Sequence, residues 1–321
     1  MSGIDRVGLP HAKGRWVRAV ERRERLAARL FSGALYGCIL VFLVLMGGLA
    51  IELLWGARLS LARFGVAFLW SSAWDPVHGH FGAAPFLYGT VVSSLIALIL
   101  AGSTGILAGI FLAEFAPRRI GAVLGAMIEL LAAVPSVVYG LWGLFVLAPF
   151  VGERLGPALQ AAFGFLPIFQ GPVSGVNMLT AALVLAVMIV PTIAALTRDL
   201  IAAVPMRERE ASLALGATRW ETVAQVVVPA VRRGIFGAVM LALGRALGET
   251  IATTMVIGNR PAISASLLAP GYTLASVIAN EFTEATSPLY LSALFELGLI
   301  LLITSLVVVA LGRLMLRLVL R

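Results

Sequence analysis

The 321-residue chain has one cysteine, one lysine and three histidines, and only 12% of its residues are charged. Each scarcity excludes something. The single thiol, Cys38, sits inside an apolar run, which rules out a disulfide framework within the chain and any cysteine-rich metal site. A phosphate-gripping P-loop ends in Gly-Lys followed by Ser or Thr, so that backbone amides and an ammonium hold the nucleotide phosphates. The sole lysine, Lys13, stands between Ala12 and Gly14, so the chain is not its own P-loop ATPase. His11, His78 and His80 all fall outside the long apolar runs, leaving no material for a histidine-based metal site or proton relay within a membrane. His78 and His80 with Asp75 have the right chemistry for a surface metal site, but a polar loop is the plainer reading.

What the chain has in abundance is apolar surface. Hydrophobic residues make up 60% of it and its mean hydropathy is +1.00, whereas about a quarter of a soluble globule is charged. It is an all-α integral membrane protein on this composition. A hydrocarbon core of about 30 Å takes about 20 apolar residues per helical span, and runs of that kind lie at 31–54, 86–112, 123–147, 176–200, 235–258 and 290–311. Six spans leave no room for a large soluble enzyme domain. The first run is longer than a signal-peptide core and is followed by no convincing cleavage site, so it reads as a retained span. Before it, residues 1–30 form a basic segment in which Trp16, Val17, Val20, Leu26, Ala27 and Leu30 recur at helical spacing among charges, the pattern of a helix lying on a membrane surface.

Basic residues set the orientation, because cytoplasmic flanks retain them. With six spans, 19 of the 24 fall on the side of the termini: in 1–30, in 113–122, in 201–234 with Arg198, and in 312–321. Only four lie opposite, and Arg245 falls within the fifth span. Both termini are therefore expected in the cytoplasm. The opposite side carries 55–85, with Trp55, Trp70 and Trp74 suited to an interfacial aromatic belt, and 148–175, rich in proline. The resulting organisation is a basic segment 1–30, a first span 31–54, an external loop 55–85 and a core 86–317 that includes the cytoplasmic loop 201–234. Glycine pairs four apart, such as Gly33 and Gly37, Gly105 and Gly109, Gly121 and Gly125, and Gly244 and Gly248, permit close helix approach, although 33 glycines make chance pairs common.

The loop between the fourth and fifth spans reads AVPMREREASLALGATRWETVAQVVVPAVRRG. Pro205 suits the first turn of a helix, with Glu208 and Glu210 near its positive end; Gly216 ends it. Thr218 and Glu221 have capping-box spacing for a second short helix, expected to stop near Pro229 because proline disfavours helical geometry in the residue before it. A rigid helix pair is an uneconomical way to join two spans, and Ala211, Ser212, Ala214 and Gly216 leave a surface that another protein can approach. Physical reasoning alone leaves open whether the unit docks on a partner or packs on its own bundle.

Glu210-Ala211-Ser212, three residues, Gly216, nine residues, Val226, one residue, then Val228-Pro229 resembles the EAA loop of ABC importer permeases, with Ser for the third Ala and Val for Ile and Leu. The stretches from Val134 to Gly140 (VPSVVYG) and from Gly244 to Thr250 (GRALGET) are similar to segments of phosphate-importer permeases of the PstC-like rather than the PstA-like branch. The resemblance covers the chain from about residue 55 onward. It implies a type I ABC importer permease architecture in which Glu210, Ala211, Ser212, Gly216 and Pro229 form the coupling contact with a separate ATPase. It also accounts for the missing P-loop.

Arg245 lies about ten residues, or ~15 Å, into its expected span, where an arginine costs at least ~2.5 to 3.5 kcal/mol. Glu249 is four residues on, so that in a continuous helix the two share a face and can pair. A buried pair often adds no net stability, which favours a functional explanation over a packing one. A guanidinium fork matches phosphate oxygens two at a time and keeps its proton. The expectation is that Arg245 meets the passing anion and Glu249 neutralises it otherwise. Glu129 sits six residues before Pro135, which should break or kink its helix, and freed backbone there is tolerated only beside protein or water, so Glu129 and Tyr139 are candidates for lining the pathway. Glu52 and Glu296 are expected near helix ends, each with a protein partner.

The resemblance further implies a second, PstA-like permease, an ATP-binding subunit dimer that holds ATP with magnesium, and a periplasmic phosphate-binding protein. This chain itself would bind no cofactor or metal, catalyse no reaction, and contact membrane lipid but no nucleic acid. Rival readings are a permease for another oxyanion such as sulfate or molybdate, a secondary transporter or channel working without nucleotide, and a regulatory membrane subunit. The secondary transporter predicts two internally repeated halves, and no repeat is evident.

Overall fold

Between Arg15 and Ser32 the sequence contains neither glycine nor proline, so nothing interrupts helix growth. The outcome, in a computed structural model that describes residues 13–319, is a 44-residue helix α1 (Lys13–Gly56), about 66 Å long at the usual rise. The basic stretch expected to form its own surface helix is therefore the beginning of the same helix that carries the first apolar run; residues 1–12 of that expected segment lie outside the described residues. The chain divides into two compact units, Met1–Trp55 and Gly56–Arg321. In the first, large apolar side chains such as Leu35, Ile39, Phe42 and Leu45 are exposed.

The second unit continues with α2 (Arg58–Phe64), α3 (Ala84–Ile110) extended by a π-turn over Phe111–Phe115, α4 (Arg118–Ala133), α5 (Ser136–Trp142), α6 (Ala148–Phe150) and α7 (Gly156–Phe163). Then come α8 (Met178–Ala202), α9 (Met206–Ala214), α10 (Arg219–Thr222), α11 (Val228–Leu247), α12 (Ile251–Val256), α13 (Leu274–Glu281) and α14 (Pro288–Val319). Among the described residues no β-strand forms, only an isolated bridge between Asp75 and His80. Among the described residues, six helical stretches are long and apolar enough to cross a membrane: Ala27–Gly56, Ala84–Phe115, Ser136–Phe163, Met178–Ala202, Arg219–Leu247 and Pro288–Leu318.

Two of the six do not run where hydropathy places them. Pro135 does break its helix, ending α4 at Ala133 and serving as the cap of α5, so the third span starts after the proline and extends to Phe163 instead of covering 123–147. The fifth begins at Arg219 rather than 235, because Pro229 does not stop the preceding helix. A π-turn over Val223–Val227, closed by the Val228 N–H on the Val223 carbonyl, widens the helix just before the proline, where the ring would otherwise clash with the preceding turn. At its far end the span stops at Leu247 rather than 258.

α8 is the axis of the core, with Met188, Ile189 and Ile193 fully buried. Against it α3 presents Gly105 and Gly109; a Cβ on them would come within 2.9 Å of the Ile193 side chain and 2.6 Å of Thr197. That pair does permit backbone approach, whereas Gly244 has open space around it. A second apolar cluster gathers the residues around α2, the start of α3, α13 and the start of α14: Phe68, Phe81, Phe86, Tyr272, Leu274, Tyr290 and Leu294. The opposite end of the bundle holds the 113–117 and 203–218 connections, drawn together by contacts between Glu114, Arg209 and Arg219.

Candidate functional site

Two interrupted helices meet in the middle of the core. At the first junction, the proline leaves backbone carbonyls of α4 without their usual partners, and the Tyr139 hydroxyl donates to one of them, Leu131 O, at 2.8 Å. At the second, α11 ends at Leu247 and α12 begins at Ile251. The intervening Gly248, Glu249 and Thr250 favour local side-chain hydrogen bonding over helix continuation: Thr250 Oγ1 donates to Gly248 O at 3.2 Å, and Glu249 Oε1 accepts from the Ala252 N–H at 3.3 Å. The halves then pack together. A Cβ on Gly140 of α5 would lie 2.6 Å from Met255 Sδ and 3.0 Å from Ala252 Cα of α12, and one on Gly143 would meet Val184 and Val256. Non-helical backbone at membrane depth is tolerated only inside protein or beside water, so this junction is a specialised place in the bundle.

The structure puts Tyr139 in one buried core cluster with Ala246, the chain neighbour of Arg245, and Ala252, and it separates the rest of the expected set. Arg245 occupies the last turn of α11, where a cation suits the helix dipole, and it is exposed. The expected pairing with Glu249 does not form: among the described residues no ion pair joins them, because the helix ends before Glu249 and its carboxylate caps α12 instead. No hydrogen bond or ion pair to a described residue occupies the Arg245 guanidinium.

Glu129 is held elsewhere. Its Oε1 accepts from Arg198 Nη2 at 2.8 Å, and the same guanidinium reaches Asp199 Oδ1 at 2.9 Å; the Glu129 side chain remains 61% exposed. Arg198 lies against Gly125, where a Cβ would be 2.6 Å from Nη1. Glu296 departs from its expected helix-end position. It stands on the third turn of α14, 3% exposed, and its Oε2 has no hydrogen-bond partner among the described residues. Glu52 is exposed near the end of α1. Among the described residues no group of three His, Cys, Asp or Glu side chains is placed to hold a metal ion; His78 Nδ1 instead contacts Asp75 Oδ2 at 2.6 Å.

From Pro205 to Glu221 the loop forms as its sequence signals require. Pro205 precedes α9, Gly216 takes a left-handed φ of 90°, and the Gly216 and Ala217 N–H groups return to Leu213 and Ser212 carbonyls, a Schellman closure. The Thr218–Glu221 capping box is complete, and Ser212 Oγ meets Thr222 Oγ1 at 3.0 Å, tying the two helices. Glu210, Ala211 and Pro229 are exposed, as are Met206, Leu213 and Trp220, and Leu215 is 90% exposed. A short helix pair that turns its leucines and tryptophan outward has a face unsuited to water.

Sequence reasoning passed over Arg209 and Glu114, which make the best-buried ion pair of the loop end. Arg209 lies in an alternating Arg-Glu run that reads as solvated charge, and Glu114 ends an apolar run; neither position carries a local signal of its partner.

An all-α bundle with interrupted helices and a helix pair built out from one end is the architecture of an importer permease. The chain belongs to the family described as the inner membrane component of binding-protein-dependent transport systems, whose model matches residues 105–321; it is thus a multi-pass inner-membrane protein. It is 46% identical over 302 residues to the phosphate transport system permease protein PstC of Mesorhizobium japonicum, covering 93% of this chain and 92% of that one. It is 34% identical over 285 residues to the probable phosphate transport system permease protein PstC of Methanocaldococcus jannaschii, covering 87% and 89%. Among solved structures, a bacterial alginate ABC transporter in complex with its pentasaccharide-bound periplasmic protein shares the fold at TM-score 0.58 and 13% identity, over 95% of this chain and 98% of that one. The methionine transporter MetNI in an inward-facing conformation matches at TM-score 0.56 and 17% identity, over 74% and 95%.

Proposed function

We propose that this chain is a transmembrane permease subunit of an ATP-driven phosphate importer in a bacterial inner membrane, with both termini and the 206–222 helix pair on the cytoplasmic face. The observation that carries the reading is Arg245: a permanently charged fork beside a helix break, with no partner for its donors among the described residues. A membrane protein retains such a group at a cost, and an oxyanion is the ligand that matches its geometry. The identity to relatives named for phosphate transport supports phosphate as that oxyanion.

In this reading Arg245 receives the anion as it descends, Tyr139 lines the same passage, and Glu129, shared with Arg198, lines it further along. Glu249 acts by shaping the break rather than by neutralising Arg245 directly. A second, PstA-like permease completes the pathway. A periplasmic phosphate-binding protein delivers substrate to the face formed in part by 55–85 and 148–175. Two copies of an ATPase, carrying ATP with magnesium, engage Glu210, Ala211, Ser212, Gly216 and Pro229, and their closure moves α9 to switch the bundle from inward to outward access. This chain contributes pathway and leverage and leaves hydrolysis to its partners.

The test is Arg245→Gln in the assembled transporter. The glutamine keeps the polarity and removes the charge, and loss of a charged, desolvated contact of about 2 to 4 kcal/mol predicts that phosphate uptake falls by about thirtyfold or more while assembly is retained. Uptake at the parental rate refutes the pathway role of Arg245.

A further inference from the structure

Arg209 stands one residue before the Glu210-Ala211-Ser212 triplet, yet its guanidinium turns into the bundle. Nε and Nη2 donate to Glu114 Oε1 at 3.0 and 2.8 Å. Nη2 also donates to the Ile201 carbonyl at 2.7 Å, and Nη1 to the Val204 carbonyl. Glu114 belongs to the π-turn that ends the α3 span, Ile201 to the last turn of α8 and Val204 to the segment just beyond it. One side chain on α9 therefore grips the ends of both helices.

The grip is shielded and reinforced. Arg209 and Glu114 are 14% and 10% exposed, unlike the solvated surface pairs whose contribution is small and salt-screened. Arg219 donates to the Glu114 carbonyl and lies over the Phe115 ring at 5.4 Å, and Trp220 packs on Phe115 with ring centroids 6.0 Å apart. The helices being gripped have little room to slide past each other, because Gly105 and Gly109 place the backbones of α3 and α8 in direct contact. α8 in turn contributes Val184, Met188 and Ile189 to the cluster that holds Tyr139, Ala246 and Ala252, the residues flanking both helix breaks. An uninterrupted run of packed parts thus joins α9 to the neighbourhood of Arg245.

We propose that the Arg209–Glu114 ion pair is the linkage that transmits displacement of α9 to the α3–α8 pair, which makes Arg209 a positioning residue for transport rather than part of the surface a partner touches. The proposal rests on reading α9 as the contact for the ATPase. With the fork broken, a bound ATPase still moves α9, but α9 no longer draws α3 and α8 with it. ATP is then hydrolysed without a matching movement of anion.

The experiment uses the complete transporter in proteoliposomes, with both permeases, the ATPase and the binding protein, and reads phosphate taken up per ATP hydrolysed together with co-purification of the ATPase. Glu114→Gln removes one charge from the fork at nearly constant shape. The expected result is parental co-purification, continuing hydrolysis and a drop of about tenfold in phosphate per ATP, the size of effect that breaking a coupling contact produces. As a second variant, Glu114→Cys with Arg209→Cys in a Cys38→Ser background is bridged by a bifunctional thiosulfonate. Bridging should restore the ratio and reductant should abolish it, a reversibility that a mere folding defect does not show. A parental ratio in Glu114→Gln overturns the linkage, and so does a loss of co-purification that accounts for the whole drop, since the pair would then belong to the docking surface. If the unsubstituted chain retains no ATPase, the permease reading falls first and takes the linkage with it; that outcome is read before any substitution is made.

Discussion

The two ends of the bundle are held by different kinds of force. At the end formed by α2, the start of α3, α13 and the start of α14, aromatic rings dominate: Trp74 lies edge-on to Phe81 and Phe86 at 5.0 and 4.7 Å, and Phe81 stacks on Tyr290 at 5.4 Å. One carboxylate oxygen, Glu281 Oε2, accepts from both the Trp74 indole at 2.8 Å and the Tyr290 hydroxyl at 2.5 Å. At the other end, α9 has no buried residue and is fastened by polar contacts, the Arg209 fork on Glu114 and the Ser212–Thr222 hydroxyl pair. Apolar contacts are non-directional and spread over many atoms, so the aromatic end resists local change. A forked ion pair is directional and local, so the loop end can be released or engaged as a unit. The contrast suits a fixed face opposite a lever.

Deleting apolar volume at each end in turn separates the two most sharply. Phe86 is fully buried, and Phe86→Ala should destabilise the folded chain by about 3 to 5 kcal/mol, seen as a large drop in the thermal midpoint of detergent-solubilised protein. Leu215→Ala, at the 90% exposed tip of the loop, should change stability by no more than about 0.5 kcal/mol and instead weaken ATPase retention. Equal thermal losses in the two variants would show that the loop is packed like the other end and is no lever.

A smaller effect tests the polar component of the aromatic end. Glu281→Gln keeps an acceptor for only part of the work that Oε2 does for Trp74 and Tyr290. Loss of charge-assisted bonding should cost about 1 to 3 kcal/mol, measured as a shift in the same melt, with coupling between ATP use and uptake unchanged. A change in that coupling without a change in melting would place Glu281 in the moving parts and dissolve the contrast between the ends.

How much of this was legible in the sequence depended on how local the signal was. The loop was readable almost residue by residue, because Pro205, Gly216, Thr218 and Glu221 act on their own backbone within a few positions. The break at Pro135 was readable for the same reason. The break at 248–250 was overlooked, since the apolar residues on both sides read as one continuous span and the local preferences of Gly248, Glu249 and Thr250 carry no proline to mark them; the expected Arg245–Glu249 pair failed for this reason. Pro229 misled in the opposite direction, because a π-turn ending two residues upstream made room for its ring. Glu114 with Arg209, and Glu129 with Arg198, are separated by 95 and 69 positions, and nothing in one sequence announces such partners. The aromatic cluster was equally invisible: Trp74 suited an interfacial belt by composition, yet it packs inward.

The smallest expected effect concerns acid, and it too separates rigid from adjustable structure. In the turn that carries Asp75, hydrogen bonding from the His78 side chain is the leading cause that holds the carboxyl below its ordinary value of 3.8, with the His78 and Val77 N–H groups adding to it. A group whose folded value is depressed contributes its stabilisation above the unfolded value and loses it as pH falls through the folded one. The turn between Asp75 and His80 should therefore stay closed near neutrality and loosen only below about pH 4. Since Asp75 is solvent-facing, the loss should remain local and leave the melting of the aromatic cluster unmoved. Hydrogen exchange at the Val77 and His78 amides, corrected for intrinsic rates, should show protection that disappears in acid in the parental chain and is already absent in Asp75→Asn. Protection that survives acid in the parental chain, or melting of the Phe81–Tyr290 cluster in step with the turn, would mean that the aromatic end draws on this carboxylate after all and is less self-sufficient than its rings suggest.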